Sequence, residues 1–158
     1  MSDTTTKHGF HPIDVKPRIG SGYPAPYNQG ALTRRKHALG DRAGLSQFGV
    51  NYTILPPGQQ SALRHWHSHE DEFVFVLEGE LALITDEGEE TLSAGMCAGF
   101  PGGVPNGHQL INRSGAEAVF VEIGSRIAED EGNYPDDDLH ARKTDNGHVF
   151  TRKNGDVY

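Results

Sequence analysis

From Phe48 onward apolar and polar residues alternate in short runs between turn signals. The alternation predicts eight strands, at 48–55, 61–67, 72–77, 81–85, 90–93, 96–100, 108–112 and 118–123. Turns are expected at Pro57-Gly58, Glu78-Gly79, Asp86-Glu87-Gly88, Ala94-Gly95, Pro101-Gly102-Gly103 and Arg113-Ser114-Gly115. So many short strands at close spacing suit a sandwich or small barrel. No intervening helix is long enough for a parallel crossover, so the sheets are expected to be antiparallel.

The flanks have a different texture. Residues 1–44 carry Pro12, Pro17, Pro24 and Pro26, which bar a regular helix and predict an extended arm. Its Ile13, Val15, Ile19, Tyr23 and Tyr27 are available to dock on the barrel or on a partner. Residues 45–125 form the barrel in this reading. Residues 126–158 form an irregular acidic tail, with Glu129-Asp130-Glu131 and Asp136-Asp137-Asp138 as solvated loop, a hard-cation site being the lesser alternative, and one edge strand at His148-Val149-Phe150.

A length of 158 residues with 35% hydrophobic positions supports one domain and one core, and 20 Gly with 9 Pro fit a turn-rich β fold. The net charge of −8 disfavours nucleic acid and anionic membranes. The stretch 34–45 shows no helix-turn-helix pattern, which with the acidic charge disfavours a DNA-binding regulator. A single Cys97 excludes an intrachain disulfide, and no segment is apolar enough for a signal or membrane span. The expected compartment is therefore the cytoplasm.

Chemistry concentrates at His65, His67 and His69. On a strand, His65 and His67 share a face and Trp66 points away. On a helix, His65 and His69 would pair as in zinc proteases, but that motif needs Glu directly after the first His, where Trp66 stands. The strand reading holds, and Glu72 begins the next strand after the turn 68–71. A hairpin covers only one side of an ion, so a further ligand must come from a distant strand. His108, beyond the Pro101-Gly102-Gly103 turn, is the natural one. Imidazole nitrogens suit first-row transition metals.

These residues resemble the two motifs of the cupin superfamily. Gly58, six residues, His65-Trp66-His67, four residues, Glu72, six residues and Gly79 follow the first. Gly95, five residues, Pro101-Gly102-Gly103, His108 and Asn112 follow the second, with two extra residues among 104–107. Leu39-Gly40-Asp41, Phe48-Gly49-Val50-Asn51, Arg64-His65-Trp66-His67, Glu70-Asp71-Glu72-Phe73 and Tyr134-Pro135-Asp136 are similar to small single-domain bacterial cupins, uncharacterised or labelled sugar-phosphate-isomerase-like. The resemblance implies an all-β double-stranded β-helix, a jelly-roll-like antiparallel barrel that is often a homodimer. It also implies one divalent transition metal (iron, nickel, manganese or zinc) held by His65, His67, Glu72 and His108.

Tyr52 is a candidate acid or base lining the barrel, and His69 lies outside the ligand set. Trp66, Phe73 and Phe75 are expected to pack between sheets or subunits, Arg64 to pair with Glu70 or Asp71, and Cys97 to be a small buried residue. Gly102 and Gly103 are expected to supply turn conformations. The expected function is a metal-dependent enzyme on a small polar metabolite, of dioxygenase, isomerase or lyase type. The alternative is a non-catalytic module binding a sugar-like or carboxylate ligand.

Overall fold

Thirteen strands make up nearly all the regular structure of the protein, a computed structural model that describes residues 8–158. Residues 1–7 of the expected arm lie outside the described residues. In chain order the strands are β1 (Arg18–Ile19), β2 (Arg35–Ala38), β3 (Phe48–Leu55), β4 (Trp66–His67), β5 (Glu72–Glu78), β6 (Glu80–Thr85) and β7 (Gly88–Ser93). There follow β8 (Cys97–Phe100), β9 (Gln109–Ile111), β10 (Ala118–Ser125), β11 (Glu131–Asn133), β12 (His140–Thr144) and β13 (Gly147–Thr151). One helical turn, α1 (Leu39–Arg42), precedes β3. Among the described residues no helix is long and apolar enough to cross a membrane.

One layer is a six-stranded antiparallel sheet in the order β1-β2-β3-β10-β5-β8. The facing layer begins as β7-β6-β9. Isolated bridges, Gln60 to Ile111 and His65 to His108, then tie β9 to the segment entering β4, and the layer continues through β4-β11-β12-β13. The result is an antiparallel jelly-roll barrel. Its core takes Leu55, Val74, Val76 and Phe120 from the first layer and Leu81, Leu83, Leu92 and Leu110 from the second. Strand β5 shows how alternation positions these residues, with Val74 and Val76 inside and Phe73, Phe75 and Leu77 outside.

The expected strand 61–67 forms regular ladder only at β4. Ser61 Oγ accepts the Leu110 N–H at 3.1 Å, so a side chain interrupts the backbone pairing upstream. Cys97 is exposed rather than buried, because it pairs with Phe75 on the outward face of the six-stranded sheet.

Both flanks are more regular than their sequence texture suggests. The arm contributes β1 and β2 to the sheet edge, and the tail, expected as irregular with one edge strand, forms β11, β12 and β13. Each flank covers the other. Tyr23 and Tyr27 of the arm pack against Tyr134, Leu139, Ala141, Phe150 and Tyr158 in a second apolar cluster. Tyr23 meets Tyr134 edge to face at 5.8 Å, and the Tyr27 and Tyr158 hydroxyls lie 3.1 Å apart. Neither segment carries a full hydrophobic stripe of its own, so neither advertises a strand by periodicity. Ile13 and Ile19 stay exposed.

Candidate metal centre

Backbone pairing decides which imidazoles meet. His65 and His108 exchange both backbone hydrogen bonds, at 3.1 and 2.8 Å, so their side chains leave the same face of an antiparallel pair. His67, two residues on, shares that face. Glu72, the first residue of β5, approaches from the opposite layer. Its Oε2 lies 2.7 Å from His108 Nε2, 3.3 Å from His67 Nε2 and 3.6 Å from His65 Nε2. Donor atoms of His65, His67 and Glu72 all fall within 4.8 Å of one another, a spacing that can hold a metal ion.

The rings are oriented from behind. Leu63 O lies 2.7 Å from His65 Nδ1, and a carbonyl only accepts, so Nδ1 carries the hydrogen. Tyr134 stacks on the His65 ring at 5.8 Å. Asp130 Oδ2 takes the His67 Nδ1 hydrogen at 2.7 Å, while its Oδ1 accepts the His69 and Glu70 N–H groups at 2.9 and 3.0 Å. Phe100 lies flat on His108 at 3.7 Å, and His108 Nδ1 is buried without a partner. With the Nδ1 hydrogens committed, the Nε2 lone pairs of neutral His65 and His67 face a carboxylate. That arrangement needs a cation or extra protons between the groups. The donor set of imidazole nitrogens and one carboxylate therefore fits a divalent transition metal.

Protons fill this role in the metal-free protein. Burial alone lowers the His67 pKa, but hydrogen bonds to Glu72 and Asp130 overcome it and raise the value to about 9. Burial disfavours the Glu72 carboxylate too, yet the bonds from His108, His65 and His67 hold its pKa well below the usual range. His108 is pulled down by burial despite Glu72.

A second acidic cluster, His67, Glu70 and Asp130, adjoins the first. Its oxygens are already engaged. Glu70 Oε1 accepts the Ile127 N–H at 2.7 Å and pairs with Lys143, and Asp130 is the strut behind His67. This cluster reads as support. Asp130 was expected in solvated loop, yet it is 3% exposed, because strand β11 carries the acidic run back against the turn before β5. A carboxylate that serves as a buried acceptor has no mark in sequence to tell it from its solvated neighbours.

The two extra residues among 104–107 leave His108 in register with His65. Asn106 accepts the Asp86 N–H at 2.9 Å and donates to Glu87, so the insertion is taken up at the rim. Gly102 is required by space: a Cβ there would stand 2.3 Å from His69 O. Gly103 has the positive φ of 78° that the turn needs. Arg64 pairs with Asp136 and Asp86 rather than with Glu70 or Asp71, since it points to the outer rim where those two loops meet. Trp66 borders a separate groove with Leu139 and Arg152, on the layer opposite Phe73 and Phe75. His69 is exposed and meets Ser68 Oγ at 2.8 Å.

Tyr52 does not border the cavity that holds the imidazoles. Gly49 and Asn51 do, and strand parity turns Tyr52 to the other face, edge-on to His37 at 5.9 Å. The cavity, about 1260 Å³, is instead bordered by two tyrosines from the flanks, Tyr23 and Tyr134. Their hydroxyls lie 3.5 Å apart, and burial raises the pKa of each, most strongly for Tyr134. Both are neutral phenols that donate hydrogen. Sequence reasoning noted Tyr23 only as a docking residue.

A family profile described as Cupin domain matches residues 51–124. The chain is 45% identical to a sugar phosphate isomerase of the cupin superfamily from Silicibacter pomeroyi, with a TM-score of 0.88 over 92% of this chain and 93% of that one. It is 27% identical to a proposed sugar phosphate isomerase from Acidithiobacillus ferrooxidans, with a TM-score of 0.74 and 85% of each chain covered. The polyketide cyclase RemF from Streptomyces resistomycificus is 26% identical, with a TM-score of 0.58 over 74% of this chain and 78% of that one. No curated protein matches the chain.

In the metal-free protein, the His67 imidazole is expected to titrate near pH 9 when followed by NMR. A value near the ordinary 6.5 would contradict the carboxylate contacts described above. Because the folded-state value is the higher, the His67 proton stabilises the fold fully below about pH 6.5. That contribution fades as pH rises through about 9.

Proposed function

The chain belongs to the cupin superfamily, and from that premise we propose that it is a metal-dependent isomerase of a small, sugar-type hydroxycarbonyl metabolite. The observation that carries this reading is the convergence of three imidazole Nε2 atoms on the Glu72 carboxylate at the wall of a cavity large enough for such a substrate. The 45% and 27% identical relatives, described respectively as a sugar phosphate isomerase and a proposed one, support the reaction class.

His65, His67, Glu72 and His108 are the residues proposed to hold a divalent iron, nickel, manganese or zinc ion, which when bound supplies Lewis-acid polarisation of a substrate oxygen. The protein's own groups serve the oxygens on which charge develops. Isomerisation of a hydroxycarbonyl moves a proton between adjacent carbons while negative charge develops on the neighbouring oxygens. Tyr134 donates to Tyr23 Oη, which leaves the Tyr23 hydrogen for a substrate oxygen. Since burial keeps Tyr23 protonated, it acts as a donor and not as a base. Tyr134, stacked on His65, couples the position of that donor to the position of a ligand ring.

The outer face of the six-stranded sheet supplies a place for a second copy of the chain. Phe73, Phe75 and Leu77 of β5 and Ile123 of β10 are each more than a third exposed, and Ile123 pairs directly with Phe73. A contiguous apolar face of this kind is costly to leave in water and closes under two-fold symmetry.

Replacing both histidines, His65→Ala with His67→Ala, is expected to remove stoichiometric metal from the purified protein and abolish aldose–ketose interconversion; unchanged metal content would sink the ligand assignment. Asp130→Asn should weaken metal binding by about 10- to 100-fold through loss of the His67 orienter. Tyr23→Phe should keep the metal and lower kcat by roughly 100-fold, whereas oxygen uptake during turnover would overturn the isomerase reading. Light scattering should give about twice 17.2 kDa, and a clean monomer would refute the proposed dimer face.

A further inference from the structure

Arg34 is 4% exposed, yet no carboxylate pairs with it among the described residues. Its Nη1 donates to Ser61 O and its Nη2 to Gly20 O at 2.7 Å, while its buried Nε has no partner. Two carbonyl bonds would suffice for a strap between the arm and the barrel. A guanidinium brings five donors and a charge that is costly to bury uncompensated. Glu122 acts on it only through space and is itself held by Lys36 and Asn51, so donors of Arg34 remain for a ligand.

A second orphan lies close in sequence to the same carbonyl. Ser21 Oγ is also buried without a partner, and Ser21 and Arg34 both border the cavity that holds His65, His67, Glu72 and His108. Arg18 borders it too, from β1, directly opposite Lys36 of β2. The other cations on this wall are spoken for. Lys36 pairs with Glu122, which also accepts from Asn51 at 3.1 Å, Arg126 pairs with Asp41, and Lys143 pairs with Glu70. Arg18 and Arg34 are left with two positive charges and no carboxylate of their own.

We propose that Arg34, Ser21 and Arg18 form an oxyanion subsite that takes the phosphoryl group of a phosphate-monoester substrate. Two unneutralised arginines match the charge of a phosphate-monoester dianion, and the rigid fork of a guanidinium suits its oxygens. Tyr23 borders the same cavity as Arg34 and Glu72 and lies within electrostatic range of both. A substrate anchored by its phosphoryl group would thus present its hydroxycarbonyl end to Tyr23 and the metal ligands. The inference deepens the isomerase reading and rests on that cavity being the substrate site, but its residues are separate from the proposed metal ligands.

The test is calorimetric titration of the full-length protein with inorganic phosphate, before and after removal of metal by a chelator. Phosphate is expected to bind in both states. Arg18→Gln and Ser21→Ala should each weaken binding by about tenfold with metal content unchanged, and Arg34→Gln by more. Arg18 is exposed and Ser21→Ala is a minimal change, so these two decide the matter should Arg34→Gln fail to fold. Phosphate binding that disappears with the metal, that is indifferent to Arg18→Gln and Ser21→Ala, or that acetate matches at equal concentration would overturn the proposal. Arginine-dependent phosphate binding without isomerisation of any sugar phosphate would uphold the subsite and sink the reaction. Isomerisation with a KM for phosphorylated substrate unaffected by Arg18→Gln would do the reverse.

Discussion

His65 and His108 face each other across a single pair of backbone hydrogen bonds, and the architecture of the site hangs on that bridge. With the Gln60–Ile111 bridge, it joins the three-stranded β7-β6-β9 sheet to the segment that leads into β4 and on to the tail strands. It also sets two imidazoles side by side, brings His67 onto the same face by strand parity, and leaves one opening toward the other layer, where Glu72 enters. A slip of one residue in this register would turn His65 and His67 outward and bring Trp66 in. Fold and donor set are thus specified by the same contact.

What lies behind the four side chains explains why they can face each other at all. Leu63 O and Asp130 take the Nδ1 hydrogens of His65 and His67, Phe100 flattens His108, and Tyr134 stacks on His65. Each contact removes a rotameric freedom that a coordinating ring would otherwise have to lose on binding. The cost of this pre-organisation is electrostatic: lone pairs are set against a carboxylate, and protons must stand in wherever a cation is missing.

Much of the barrel was legible because its strands are amphipathic over a period of two. Strand β3 falls on 48–55 as the alternation predicts, and β5, β6, β8 and β10 begin or end within two residues of expectation. The spacing from Gly58 through His65, His67 and Glu72 to Gly79, with His108 after the Pro-Gly-Gly turn, pointed to the four side chains that the structure brings together. The missed elements share one cause. Strands β1, β2 and β11–β13 bury their apolar residues against one another, so Tyr23, Tyr134 and Phe150 complete a stripe only in space. Asp130, Arg34 and Ser21 were invisible for a related reason, since an acid, a base or a hydroxyl looks the same in sequence whether it is solvated or buried. The same blindness led to Tyr52, which has the right chemistry on the wrong face of β3.

The flanks that sequence texture assigned to arm and tail therefore supply the groups that distinguish this cavity: the two phenols, the strut behind His67 and the unpaired arginines. The account stands or falls on where the metal sits. An anomalous-difference map from crystals of the protein with its co-purified metal should show one peak, about 2.0 to 2.2 Å from Nε2 of His65, His67 and His108 and from an oxygen of Glu72. A peak held instead by Glu70 and Asp130, or no peak among the three imidazoles, would contradict it.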